Sequence, residues 1–133
     1  MSELTVVTNN RGAVEITQQV NGIVAKQGSG AKLCHIFTTH TSASLIITGN
    51  EDPDLLLDIE DYFQSIVIDA SPNYRHNNEG DFDVSGHIRS VLTGESKTIP
   101  VVNKKLALGK YQGLFLYEHR AGVNNRKLIV TLL

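Results

Sequence analysis

The chain has 133 residues, a length that predicts one domain, residues 1–133, built around a single hydrophobic core. Hydrophobic residues make up 41% of the chain and charged residues 20%, a balance that excludes a disordered protein. The formal net charge of −2 provides no field that gathers polyanions, so we expect neither nucleic acid nor a membrane as a partner. Any phosphate site must therefore be local.

The amino-terminal quarter predicts a strand, a turn and a helix. Residues 4–8 are rich in β-branched side chains and end at a turn-forming cluster, residues 9–12. Val20, Ile23 and Val24 then recur at helical spacing after Thr17, which can serve as an N-cap, and a glycine-rich stop follows at residues 28–30.

The first residues, the apolar stretches and the single cysteine bear on the compartment and redox state of the protein. The first residues lack the basic and apolar regions of a signal peptide, and no apolar stretch approaches about twenty residues. The single cysteine, Cys34, lies in an apolar run and predicts a buried free thiol. These features predict a cytoplasmic protein.

The middle of the chain predicts two buried strands, a helix and a long polar loop. Residues 31–39 and 43–48 are aliphatic, aromatic or β-branched with little charge, which favours strands. Pro53 suits a first helical position. Six apolar residues then fall on one face of a helix: Leu55, Ile59, Tyr62, Phe63, Ile66 and Val67. Residues 69–86 have no period and predict a functional or mobile loop, followed by a short helix over 87–92 that Gly94 ends.

The carboxy-terminal third predicts strands over residues 98–102, 105–108, 113–120 and 127–132, separated by short polar turns. The last two strands are predicted to form a hairpin around residues 121–125. The predicted fold class is therefore α+β: an antiparallel β-sheet or sandwich covered by two or three helices.

Histidines and carboxylates are the side chains best suited to chemistry. His40 interrupts two strands beside two hydroxyl residues, and an isolated core histidine is the alternative there. His76 and His87 flank Glu79, Asp81 and Asp83, a density of donors that suits a divalent metal or acid–base chemistry. Turn formation or helix capping explains Asp81 and Asp83 equally well.

Glu118 and Arg120 lie two residues apart on one predicted strand and so share a face. A glutamate and an arginine on a buried face must either form an ion pair or take part in a functional site. A structural ion pair between the two is the favoured interpretation.

Several linked motifs resemble the YjbQ-like family over nearly the whole chain. In the first half they are His40 to Leu45, Asn50 to Asp54, Tyr74 to His76 and Glu79 to Asp81. In the second half they are Thr98 to Val101, Leu106 to Gly109, Gln112 to Leu116 and Glu118 to Arg120, in the family's order.

The resemblance implies an antiparallel α+β fold, a homotrimer with sites near subunit boundaries, and a weak thiamine-phosphate synthase activity. It also implies a divalent metal, zinc or magnesium, because some members hold zinc in a histidine-rich segment. Ser85 stands where the family usually has a histidine or an aspartate, and serine is a poor zinc ligand. The implied metal ligands are thus His40, His87 and either His76 or water.

In this hypothesis the chain joins a pyrimidine-methyl diphosphate to a thiazole phosphate. Arg120 and His87 contact phosphate, Asp81 and Glu51 hold a divalent ion or orient His87, and His40 acts as acid, base or ligand. The remaining implied site residues are Glu118 for catalysis and Thr41, Ser42, Asn50, Glu51 and Gln112 for substrate binding. One alternative is a trimeric metal- or anion-binding protein without turnover, and another is a purely structural polar cluster at a trimer interface.

Overall fold

The structure is a computed structural model that describes all residues, Met1–Leu133. Eight strands form two antiparallel sheets, and three helices accompany them. The strands are β1 (Ser2–Thr8), β2 (Gly12–Glu15), β3 (Leu33–Thr38), β4 (Ala43–Gly49), β5 (Ser96–Val102), β6 (Lys105–Leu106), β7 (Gln112–Glu118) and β8 (Asn124–Leu132). The helices are α1 (Thr17–Gln27), α2 (Pro53–Ile66) and α3 (Asp83–Thr93). The predicted α+β class is confirmed.

Five strands form the larger sheet in the order β1-β8-β3-β5-β6, and three form the smaller sheet in the order β2-β7-β4. Buried aliphatic side chains of both sheets join those of α1 in one hydrophobic cluster, which includes Val24, Cys34, Leu45, Leu116 and Leu128. Cys34 is fully buried, as predicted, and burial raises the pKa of its thiol to about 11.

The predicted hairpin between the last two strands is wrong. β7 pairs with β2 and β4 in the smaller sheet, whereas β8 pairs with β1 and β3 in the larger one. The alternating pattern of β8 fits either pairing, and only the tertiary fold decides between them. The turn at Asn103 and Lys104 does join neighbouring strands, and both residues have the positive φ angles, 53° and 60°, that a tight hairpin needs.

The helix predicted at residues 87–92 begins earlier, at Asp83, so the polar loop is shorter than predicted. Gly94 ends α3 as predicted, with a φ of 103°. α3 packs near β4, and its Gly86 faces His119: a Cβ there would lie 3.5 Å from the carbonyl oxygen of His119, an ordinary van der Waals contact. This packing places the first turn of α3 beside the ends of β4 and β7.

α2 starts as predicted, with Asp52 capping the helix and Pro53 in its first turn. Its apolar face, however, is only partly covered by the chain: Phe63 packs against Tyr117, but no residue of the helix is fully buried, and Tyr62 is 62% exposed. No helix of the structure is both long and apolar enough to cross a membrane.

Candidate functional site

One acid and two histidines converge at the start of α3. Asp83 and His87 are four residues apart and therefore share a helix face. His87 Nε2 lies 3.3 Å from Asp83 Oδ1, and His76 Nε2, from the preceding loop, lies 2.7 Å from Asp83 Oδ2. One ligand atom from each residue falls within 4.8 Å of the others. Ligand atoms about 2.0–2.2 Å from a tetrahedral zinc are roughly 3.3–3.6 Å from one another. The spacing of His76, Asp83 and His87, which we call the metal cluster, therefore suits a metal ion.

The orientation of the donors also suits a cation. Asp83 is 2% exposed, and its Oδ2 accepts no hydrogen bond even though His76 Nε2 lies 2.7 Å away. His87 Nδ1 lies 3.0 Å from the backbone oxygen of Thr41. A carbonyl oxygen can only accept, so the neutral ring carries its proton on Nδ1 and turns the lone pair of Nε2 toward Asp83. Metal-binding histidines are commonly oriented in this way.

A cleft of about 440 Å³ opens beside the metal cluster. Asp83, Asp81, Glu79 and Arg120 all line it. Arg120 Nη2 lies 3.1 Å from Asp83 Oδ1 and 3.8 Å from Glu79 Oε2, and the Arg120 side chain is 35% exposed. A guanidinium beside a bound cation would give the cleft an affinity for anions, and arginine binds both carboxylate and phosphate groups in a bidentate manner.

The first three residues of the first motif, His40 to Ser42, flank the cluster without joining it. His40 Nε2 accepts a hydrogen bond of 2.9 Å from the backbone N–H of Lys127, which leaves Nδ1 as its free ring nitrogen. Burial, and then the charge of Arg126, lower the pKa of His40. Thr41 contributes its backbone carbonyl to the site, and Ser42 is buried against Arg126.

Asn50, Glu51 and Gln112 lie at the other end of the smaller sheet. Gly49 pairs with Gln112, whereas Ala43, six residues earlier on the same strand, pairs with Glu118. At about 3.3 Å per residue the two ends are roughly 20 Å apart. Asn50 donates to Glu15 Oε2 at 3.1 Å, and Gln112 Oε1 accepts from the N–H of Gly109 at 2.8 Å. Within one chain these predicted substrate ligands do not meet the metal cluster.

The predicted ion pair between Glu118 and Arg120 is wrong. Glu118 is fully buried and forms a two-point ion pair with Arg126 of β8, with Nε to Oε1 at 2.7 Å, while the Arg120 side chain turns to Asp83. Burial alone raises the pKa of Glu118, but hydrogen bonds from Arg126 and Thr8 outweigh it and hold the pKa below its usual range. Glu118 does not line the cleft.

Ser85 is fully buried and does not face the cluster. It donates to Asp69 and accepts a hydrogen bond of 3.1 Å from Arg11 Nη2. The carboxylate of the cluster comes instead from Asp83, one turn before His87. Asp83 and His87 have the i, i+4 spacing that places two residues on one face of a helix. The helix predicted from the sequence begins at residue 87, however, and does not include Asp83.

His119 was also not singled out by the sequence. It is fully buried, with Nε2 2.8 Å from Ser44 Oγ, and its Nδ1 has no hydrogen-bond partner. Burial, and then the charges of Arg89, Arg11 and Arg126, lower its pKa to about 3, so the ring is neutral near neutral pH. Gly86 of α3 faces the backbone oxygen and Cβ of His119, so His119 lies behind the first turn of that helix and is not one of the three clustered ligands.

Comparison with known proteins gives a consistent match over the whole chain. Residues 2–133 match the family described as UPF0047 protein YjbQ-like. A UPF0047 protein of Synechocystis is 42% identical over 96% of this chain and 86% of its own length, and YjbQ of Escherichia coli O157:H7 is 35% identical over 97% and 94%. Solved structures from Thermus thermophilus and Clostridium acetobutylicum superpose with TM-scores of 0.90 and 0.90 at 28% and 30% identity, each covering 100% of both chains.

Proposed function

Because the chain belongs to the UPF0047, YjbQ-like family, we propose that it binds a small phosphorylated molecule through a divalent metal and Arg120. We propose further that it is a transferase of the thiamine-phosphate synthase type. The observation that carries the metal proposal is the buried Asp83 carboxylate, whose Oδ2 has no hydrogen bond and lies beside His76 Nε2, while its Oδ1 lies beside His87 Nε2. Arg120 pairs with Oδ1, but a buried carboxylate oxygen without a hydrogen bond still costs about 1–3 kcal/mol, and a bound cation would remove that cost.

Each residue then has a defined task. His76, Asp83 and His87 would hold the cation with one ligand atom each. The cation supplies positive charge next to a departing diphosphate. Arg120, at the edge of the cleft, donates two N–H groups to the same anion, and Asp83 Oδ1 keeps its guanidinium oriented at 3.1 Å.

The proposed transfer is balanced without a proton-accepting residue. The bond between the pyrimidine methylene carbon and the diphosphate oxygen breaks, and its electron pair leaves with diphosphate. The thiazole nitrogen then forms the new C–N bond with its lone pair. The step releases no proton, so it needs no general base, and neither the buried Glu118, which is paired with Arg126, nor His40 has to accept one.

Arg120→Gln provides the direct test of this activity. We expect product formation from the two phosphorylated substrates with magnesium or zinc to fall at least about tenfold in kcat/KM, because a charged hydrogen bond to the leaving diphosphate is lost. His35→Ala is the control, since His35 lies on β3 and contacts Thr98 at 2.8 Å. Equal product traces from wild type and Arg120→Gln would contradict the proposed catalysis.

The second candidate is binding without turnover. It is favoured by the separation of Asn50 and Gln112 from the cleft, which leaves a single chain without the second half of a substrate site. Calorimetric binding of inorganic diphosphate in the presence of zinc, together with no product from any substrate pair, would select this candidate over the transferase.

We propose that further copies of the chain cover the apolar residues on α2 and α3, as in the homotrimer that the family resemblance implies. Exposed fractions there are 49% for Ile66, 85% for Val91 and 58% for Leu92, and a soluble monomer rarely leaves so many apolar side chains uncovered on two helices. Light scattering after size exclusion should give three times the chain mass. A monomer mass at working concentrations would contradict the assembly.

A further inference from the structure

The ion pair between Glu118 and Arg126 lies behind the metal cluster, and the proposed function does not use it. Both side chains are nearly inaccessible, with 0% and 6% exposure. Thr8 Oγ1 also donates to Glu118 Oε1 at 2.6 Å, and the backbone N–H of Arg120 donates to Oε2 at 3.0 Å. The guanidinium of Arg126 is therefore fixed in position by a fully engaged carboxylate.

Arg126 also donates to Ser42. Its Nη2 donates to the backbone oxygen of Ser42 at 3.2 Å and to Ser42 Oγ at 3.0 Å. The N–H of His119 donates to the same backbone oxygen at 3.1 Å. Ser42 is 4% exposed, so its orientation is determined by these contacts and not by solvent. These contacts also fix the preceding peptide unit, which carries the carbonyl of Thr41.

The Thr41 carbonyl contacts His87 Nδ1 at 3.0 Å, and Asp83 Oδ1 lies 3.3 Å from Nε2 of the same ring. Two acceptors thus compete for the single proton of the neutral imidazole. If the proton moves to Nε2, the ring loses the lone pair that faces the cluster. The position of the Thr41 carbonyl decides the outcome, because the carboxylate alone would draw the proton to its own side.

We infer that Arg126 is a positioning residue for the metal cluster: by holding Ser42 it keeps the Thr41 carbonyl on His87 Nδ1 and so selects the tautomer that can bind metal. The inference rests on the proposed metal site and deepens it. Partners that orient a metal-binding histidine are commonly worth about 10–100-fold in metal affinity.

Arg126→Lys separates this effect from that of charge. Lysine keeps the positive charge beside Glu118 but lacks the planar fork that bridges Glu118 and Ser42. Thr8→Val is the matched control, since it removes another buried hydrogen bond to Glu118 and leaves Ser42 untouched. Ser42→Ala is a milder second variant that removes only the Oγ contact, for use if Arg126→Lys does not fold.

The experiment reads the tautomer of His87 by NMR of nitrogen-labelled, metal-free protein and measures zinc affinity by competition with a chromophoric chelator. In wild type and Thr8→Val we expect the Nδ1–H form and similar zinc Kd values. In Arg126→Lys we expect a shift toward Nε2–H and zinc binding weaker by about 10–100-fold, with Ser42→Ala changing in the same direction.

An unchanged tautomer and Kd in folded Arg126→Lys would overturn the inference. So would an equal shift in Thr8→Val, because a general loosening of the buried network would then explain both. Absence of zinc binding in wild type would instead contradict the proposed function. The tautomer of the metal-free protein would still decide whether Arg126 positions His87.

Discussion

His87→Ala is expected to weaken zinc binding by at least about 100-fold, more than the loss of an orienting partner would, because it removes a ligand itself. The remaining donors, His76 and Asp83, come from a 56% exposed loop side chain and a buried helix side chain. Two ligands of such different rigidity form a weak site. Competition titration with a chelator measures the change.

His35→Ala is the matched control, since it also removes an imidazole that contacts a neighbouring residue, Thr98, but on the larger sheet. Its zinc affinity should equal that of wild type. If both variants lost affinity equally, zinc would be binding to surface histidines in general. If neither did, His87 would not be a ligand.

Arg126→Met should lower the free energy of unfolding of the metal-free protein by about 3–5 kcal/mol, because it leaves Glu118 buried and charged without its partner. Urea unfolding in the presence of a chelator measures this value without a contribution from metal binding. Adding Glu118→Gln to Arg126→Met should recover at least about 1 kcal/mol, since the amide carries no charge to be compensated.

Arg89→Met is the matched comparison and should cost less than half as much. Arg89 is also fully buried and donates to Glu60 Oε1 at 2.7 Å, but its Nε and Nη2 have no hydrogen-bond partner. Removing it eliminates two unsatisfied donors, each of which costs about 1–3 kcal/mol. Glu60 also keeps the Tyr117 hydroxyl, at 2.7 Å, as a donor. A larger loss of unfolding free energy for Arg89→Met than for Arg126→Met would contradict the expectation that the Glu118–Arg126 pair stabilises the protein more.

The local patterns of the sequence predicted most of the strands and helices, because alternation, helical spacing and turn residues are short-range signals. The apolar runs around Cys34 and Leu45 became buried strands, and Pro53 opened a helix. The assignment of β7 and β8 to different sheets could not be predicted in this way, since each strand fits more than one partner.

The site was predictable to a smaller extent. The sequence groups His76 with His87, and the two residues do meet in the structure. The helix predicted from the sequence begins four residues too late, so it leaves Asp83 in the loop. Same-face spacing paired Glu118 with Arg120, but Arg126 reaches Glu118 from the other sheet. Such contacts depend on tertiary packing and leave no periodic signal in the sequence.

The most direct test of the metal cluster is anomalous diffraction at the zinc absorption edge from crystals grown with zinc. The account predicts a peak at about 2.0–2.2 Å from Nε2 of His76, Nε2 of His87 and a carboxylate oxygen of Asp83, with a further position open toward Arg120. Zinc found only at other histidines, such as His35 or His40, with the side chains around Asp83 unchanged, would contradict it.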